Sequence, residues 1–145
     1  MSWDVFVMRF PAGIKASDEI PDSWDPENIG TVGAVRAALG ELVPDMVWDA
    51  TGWGQGTGDG FTVEVPLTDP DDAPTNGVTL MFRGGGDAPF VAMALAERFD
   101  ARALASGEFL EPGNAEAALA EWHRFRARAL GRHGETAAGA GQDSG

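Results

Sequence analysis

The sequence of 145 residues predicts an α+β fold in which short strands and helices follow one another along the chain. Apolar and polar residues alternate over 61–67 and over 78–83, which is the period of a strand with one buried face. The segment 35–42 carries apolar residues at positions i, i+3, i+4 and i+7, which predict one buried helix stripe. Glycine, proline and acidic residues separate these segments and predict turns between them.

Further elements are predicted on both sides of these segments. A first strand is predicted over residues 3–10, because its centre is apolar on both faces, as in a covered central strand. Thr31 is suited to the N-cap of a helix that ends near Leu42. A second helix is predicted over 88–99, with Asp87 as its N-cap. Its buried stripe is predicted to contain Val91, Ala94, Leu95 and Phe99.

Glycine occupies every second position from Gly52 to Gly60. If residues 52–57 are extended, one face of that strand is bare backbone, and a large ring can pack closely against it. The dipeptide Asp59-Gly60 predicts a hairpin turn into the strand that follows.

A short hairpin around Ser106-Gly107 and a third helix over 115–130 complete the elements. Without the glycine-rich strand the order is βαββαβ plus a C-terminal helix, which is the order of a ferredoxin-like split βαβ fold. We expect a largely antiparallel sheet with helices on one face and the third helix over an edge or the open face. Residues 1–130 are predicted to form a single domain and 131–145 a flexible tail.

The charge is strongly negative, at −13 with 23 acidic and 10 basic residues. It is also uneven, because residues 1–112 contain 19 acids and 6 bases, whereas 113–145 contain 4 of each. Such a body repels phosphate backbones, which argues against a nucleic-acid partner. It attracts basic protein surfaces and accelerates their encounter. Solubility alone is the simpler explanation of the same charge.

No apolar stretch reaches the about 18 residues that a membrane helix needs, so no membrane partner is expected. The N-terminal segment 1–4 lacks the basic start of a signal peptide, and a cytoplasmic protein is expected. The absence of cysteine excludes thiol catalysis and thiolate metal sites. We expect neither a cofactor nor a bound metal, and either a monomer or a homodimer.

The first candidate site is an acidic loop in which acids surround a tryptophan. An exposed aromatic ring among charges is typical of a protein-binding surface. The loop therefore predicts a non-catalytic domain that binds a basic partner, as an immunity-type or accessory protein does. In the alternative interpretation, the tryptophan fixes a solvated loop to the core. The residues predicted to contact the partner are Asp18, Glu19, Asp22, Trp24 and Asp25.

The second candidate site would bind a small anion or a sugar. Arg83, Gly84 and Gly85 join a strand to a helix N-terminus, where free N–H groups favour anions and the guanidinium can grip a carboxylate or phosphate. Trp53 is expected to complete the pocket. In the alternative interpretation, the glycines only allow close packing of strand and helix.

Common catalytic motifs are absent from the sequence. Lys15, the only lysine, follows no glycine-rich turn, which excludes a P-loop, and the glycine spacing after Gly52 does not fit a dinucleotide-binding motif. His123 could act as a general base beside Glu116 or Glu121, but a boundary residue of the third helix is the simpler interpretation. No catalytic residue is predicted.

Four short motifs carry a resemblance: Ser2-Trp3-Asp4-Val5, Arg9-Phe10-Pro11, Arg83-Gly84-Gly85 and Ser106-Gly107-Glu108-Phe109. Over about residues 2–112, the sequence resembles a set of small uncharacterised bacterial proteins with no established activity. The resemblance implies a small cytoplasmic bacterial domain and assigns no functional residue.

Overall fold

A computed structural model describes residues 2–136, and within them the fold is mixed α+β with a largely antiparallel sheet and three helices. The helices are α1 (Val32–Leu42), α2 (Ala88–Arg98) and α3 (Ala115–Thr136). The strands are β1 (Trp3–Met8), β2 (Gly30–Thr31), β3 (Val47–Trp48), β4 (Trp53–Gly58), β5 (Phe61–Pro66), β6 (Pro74–Thr75), β7 (Gly77–Gly84), β8 (Arg102–Ala105) and β9 (Glu108–Phe109).

Seven strands form one sheet in the order β3-β4-β5-β7-β1-β8-β9, and every neighbouring pair is antiparallel. Strand β1 lies inside the sheet, where Val5 pairs with Leu80 of β7 and with Ala105 of β8. A separate pair, β2 with β6, lies outside this sheet. The short strands β2, β3 and β6 were not predicted, since two-residue strands leave no alternation to detect.

The two faces of the sheet carry two separate hydrophobic clusters. On one face the buried residues of β1, β5 and β7 pack with α1 and α2 to form the main core. Trp3, Val5 and Val7 belong to it, but Phe6 on the other face is 41 % exposed, so the prediction that both faces of β1 are covered is wrong. The smaller cluster is built on Phe10, Leu104 and Phe109, with loop residues packed against it.

The glycine-rich strand confirms the expectation of a bare face that a ring covers. A Cβ at Gly54 would lie 2.4 Å from Cζ3 of Trp48, and one at Gly56 would lie 2.6 Å from Sδ of Met46. The Trp48 ring therefore lies directly on the backbone of β4. The Asp59-Gly60 turn joins β4 to β5 as predicted, with Gly60 at φ +84°.

The N-cap prediction for α1 is confirmed, because Thr31 Oγ1 accepts a hydrogen bond of 3.1 Å from the Ala34 N–H. The predicted stripe of α2 is wrong in part, since Ala94 is exposed. An alanine-rich helix offers several equivalent apolar stripes, and the sheet selects the one that lets the backbones approach most closely. The buried residues of α2 are Ala88, Pro89, Ala92, Leu95 and Ala96.

Helix α3 differs from the expectation in position and in length. It packs against α2 and the loop after β7, where Leu119 and His123 contact Gly85, and not over an edge or the open face. It continues to Thr136, past the predicted end at residue 130. The rest of the predicted tail, 137–145, lies outside the described residues. None of the helices within 2–136 is both long and apolar enough to cross a membrane.

The contact between Trp48 and β4 predicts the effect of alanine at Gly54. A Cβ there has no room beside the ring, so Gly54→Ala should lower the free energy of unfolding by about 1–3 kcal/mol, the usual cost of overpacking. Urea denaturation measures this change.

Gly40→Ala is the matched control, because Gly40 lies inside α1 and a Cβ there meets nothing within 4 Å. Removing backbone freedom from a helix interior should raise the free energy of unfolding by about 0.5–1 kcal/mol. Equal effects of the two substitutions would contradict the packing described for β4.

Candidate functional site

The predicted acidic loop is held against the sheet as a strap, which we define as residues 14–28. Its apolar residues Ile14, Ile20 and Trp24 pack on the smaller hydrophobic cluster. The Trp24 ring stacks on Phe10 with ring centroids 5.4 Å apart and an interplanar angle of 24°. Phe10 also meets Phe109 edge to face at 5.1 Å. Such aromatic pairs stabilise beyond their burial, so the strap is fixed at its middle.

Backbone hydrogen bonds fix the first part of the strap to the β8–β9 hairpin. The Ser17 N–H donates to the Gly107 carbonyl at 3.2 Å, and Ala16 forms an isolated antiparallel bridge with Glu108. The side chain of Arg102 donates to the Ile14 carbonyl at 2.9 Å. These contacts give the strap a defined path over the sheet.

The end of the strap is fixed by Arg9. Its guanidinium donates to the Asn28 carbonyl at 2.9 Å and to the Phe99 carbonyl, at the C-terminus of α2, at 3.0 and 3.1 Å. A cation at a helix C-terminus is favoured by the helix dipole. Arg9 therefore connects β1, α2 and the strap.

The carboxylates of the strap point outward without cationic partners. The acids at 18, 19, 22, 25 and 27 are all exposed. Among the side chains that the structure describes, the ion pairs are Arg36–Asp71, Arg83–Glu64 and Arg98–Glu41, and none involves a strap acid. The two arginines beneath the strap, Arg9 and Arg102, donate to carbonyl groups instead. The strap therefore displays five carboxylates against one lysine, Lys15.

Trp24 is half-buried, and its ring belongs to the smaller cluster. The five residues predicted for the partner site all lie in the strap, but their roles differ. They are Asp18, Glu19, Asp22, Trp24 and Asp25. The four acids form the exposed surface, whereas Trp24 anchors it. Their contact with a partner stays a prediction.

Arg83 and Trp53 of the second candidate site converge on one carboxylate. Glu64 accepts a hydrogen bond from the Trp53 indole N–H at 3.1 Å and from the Arg83 guanidinium at 3.2 Å. All three lie on the face of the sheet away from α1 and α2. The groove beside Glu64, of ≈ 350 Å³, is lined by residues of β3, β4 and β5 and by neither Arg83 nor Trp53. The guanidinium that would hold an anion already has an anionic partner.

The glycine loop after β7 also has partners within the chain for its N–H groups. The Gly85 N–H donates to the Gly60 carbonyl at 2.7 Å and the Asp87 N–H to the Asp59 carbonyl at 3.0 Å. Gly84 and Gly86 have φ of +93° and +53°, so the loop needs glycine for its path. Asp87 occupies the N-cap position of α2, but its side chain makes no capping hydrogen bond. This geometry supports the close-packing interpretation of the loop.

His123 lies against the same loop, with Nε2 2.6 Å from the Gly84 carbonyl oxygen. A Cβ at Gly85 would lie 2.6 Å from the His123 ring, so the absence of a side chain makes room for the imidazole. His123 thus attaches α3 to the loop after β7, as expected of a boundary residue of the helix. Within the described part of the chain, no three His, Asp or Glu side chains are grouped so that they could hold a metal ion.

Sequence reasoning missed the residues that position the strap. Phe10 lies far in sequence from the paired residues Leu104 and Phe109, and all three are buried in the smaller cluster. The available signal was the alternation in β8, where Leu104 must face away from Ala103 and Ala105. That pattern indicates an apolar residue on the sheet face that carries no α-helix, so another segment of the chain must cover this residue.

Trp53 owes its position to a turn organised by Asp49. Asp49 Oδ1 accepts hydrogen bonds from the Thr51 hydroxyl at 2.6 Å, the Thr51 N–H at 2.8 Å and the Trp53 N–H at 3.1 Å. The Thr51 hydroxyl is the largest cause of a lowered pKa of the Asp49 carboxyl, followed by the Thr51 N–H. The ionised form of Asp49 therefore holds the start of β4.

In comparisons with protein families, with curated proteins and with solved structures, no match was found.

The turn at Asp49 predicts a pH dependence of stability. Because folding lowers the pKa of Asp49 below its ordinary value of 3.8, its stabilisation is complete above that value and is lost as the pH falls through the folded pKa. Asp49→Asn should lower the free energy of unfolding at neutral pH and leave a shallower loss of stability below pH 3.8 than in the wild type. Urea denaturation across this pH range measures both.

Asp72→Asn is the matched control, because the exposed Asp72 carboxylate has no hydrogen bond within residues 2–136. This variant should reproduce the acid dependence of the wild type. If both variants lose stability equally slowly as the pH falls, the Asp49 turn is not the source of the acid dependence.

Proposed function

We propose that this chain is a non-catalytic protein-binding domain whose acidic strap binds a basic surface of a partner protein. The observation that carries the proposal is that the strap is fixed to the sheet while its carboxylates stay exposed and without cations. The Trp24–Phe10 stack and the hydrogen bonds from Arg9 and Arg102 hold the strap in one shape. A surface that must meet a partner in one shape gains from all of them, because ordering before binding lowers the entropy cost of association.

The charge of the strap fits a partner with clustered arginine or lysine. Complementary charge accelerates encounter and discriminates against acidic proteins more than it adds affinity. The partner side chains would meet four exposed acids over a short segment, with apolar contact available at the exposed edge of Trp24. Immunity-type and accessory proteins work by such occupation of a basic surface, and this is the class that we propose.

We also propose a ferredoxin-like split βαβ as the centre of the fold. The order β5-β7-β1-β8, antiparallel throughout, supports it, as does the position of α1 between β1 and β5 and of α2 between β7 and β8 along the chain. Strands β3 and β4 then extend one edge and β9 the other.

Capture from host lysate with charge-matched variants tests the proposed function. Asp22→Lys/Asp25→Lys reverses two strap acids, and Asp69→Lys/Asp72→Lys makes the same change of net charge in another exposed loop. At about 10 mM salt, where the Debye length is about 30 Å, the wild type and the Asp69/Asp72 variant should retain one basic protein that the strap variant loses. About 1 M salt, with a Debye length of about 3 Å, should release it.

Trp24→Ala separates the anchoring of the strap from its charge. It removes the stack on Phe10 and keeps every carboxylate, so it should weaken binding of the captured protein by about tenfold in titration calorimetry.

In the capture experiment, equal retention of the basic protein by the wild type, the strap variant and the Asp69/Asp72 variant would refute the proposed function. Retention of no protein by the wild type would also refute it.

A further inference from the structure

Helix α2 is apolar around its whole circumference but is covered on one side. Residues 88–96 contain no charged or polar side chain. The inward face is buried, whereas Phe90 is 41 % exposed, Ala94 is exposed and Met93 is half-buried. A helix that is apolar all round is normally buried all round, so this outward face is suited to a partner.

Two grooves flank this outward face, and Phe90 lines both. One, of ≈ 560 Å³, lies between α2 and the segment 100–112, with Met93, Ala94 and Leu110 among its lining residues. The other, of ≈ 400 Å³, lies between α2 and α3. The Phe90 ring therefore stands between two depressions, a shape that can receive the ridge of side chains of another helix.

The rim of the face is acidic. Glu97, Asp100 and Glu111 line the first groove, and Asp87 and Glu116 line the second. The one basic residue in the first groove is Arg102, which donates to the Ile14 carbonyl and lies 3.7 Å from the centre of the Phe109 ring. The face thus fits a helix that carries apolar residues together with several cations.

We propose that this face binds the second half of α3 from a second copy of this chain, so that the protein forms a symmetric homodimer. The segment 124–133 carries four arginines and no acid, in a chain whose first 112 residues are strongly acidic. Its apolar residues Phe125 and Ala129 lie at i and i+4, one helical turn apart, and α3 is helical through Thr136. It is the segment of this sequence that matches both the charge and the apolar character of the α2 face.

The fold allows both contacts to form at once. Helix α2 packs against the first half of α3, and the basic segment continues the same helix beyond His123. A two-fold rotation then brings the α3 segment of each copy to the α2 face of the other, which gives a closed dimer. This surface is distinct from the acidic strap, so either proposal can fail without the other.

Sedimentation velocity of the full chain tests the dimer. The wild type should sediment as a dimer at micromolar concentration and low ionic strength, and Phe90→Ser should raise the dimer Kd by at least about tenfold. Phe6→Ser is the matched control, because Phe6 is equally exposed, at 41 %, but lies on the far face of the sheet. This variant should remain a dimer, and circular dichroism checks that both variants are folded.

Charge reversal tests whether the second half of α3 is the segment that binds the α2 face. Arg124→Glu/Arg128→Glu should dissociate the dimer, whereas the strap variant Asp22→Lys/Asp25→Lys should leave it intact. A monomeric wild type, or a dimer that survives Phe90→Ser, would overturn the proposal. If the strap variant dissociates the dimer and Phe90→Ser does not, the basic segment of α3 binds the strap and not the α2 face. That result would also overturn the proposal.

Discussion

The central strand β1 sets the two faces on which the rest of the structure depends. Its neighbours β7 and β8 pair with it antiparallel, so one set of alternate residues must enter the main core with α1 and α2. The other set is left on a face that carries no helix in the described residues. Near Leu104 that face is apolar, with Phe10 and Phe109, and the strap covers it through Ile14, Ile20 and Trp24. The acidic surface is therefore a consequence of how one sheet face is closed.

Several arginines of the body bind carbonyl groups of the backbone. Arg9, Arg36 and Arg102 donate to carbonyl groups at the ends of helices, strands and loops, where they hold distant segments together. Arg36 also pairs with Asp71, whereas Arg9 and Arg102 form no ion pair with a carboxylate among the described side chains. The negative charge is thus not balanced by the cations of the body, and the strap carries a dense part of it.

Much of the fold could be predicted, because its signals are local. The alternation in β5 and β7, the Thr31 cap and the bare face of β4 are each encoded within a few residues. The candidate site depended on contacts between distant residues, such as Arg9 with Phe99, which no local pattern reveals. The partner of Arg83 required the register of β5 with β7, and this register places Glu64 close enough to bind it.

The most direct test of the account is to map where a basic ligand binds. An arginine-rich peptide titrated into the isotopically labelled full chain at low salt should shift the backbone amide signals of residues 17–28 in NMR spectra more than those of the acidic loop 69–72, because the strap presents a fixed array of unpaired carboxylates. Equal shifts in both loops would mean that the peptide follows net charge alone. Such a result would contradict the claim that the strap is a built binding surface.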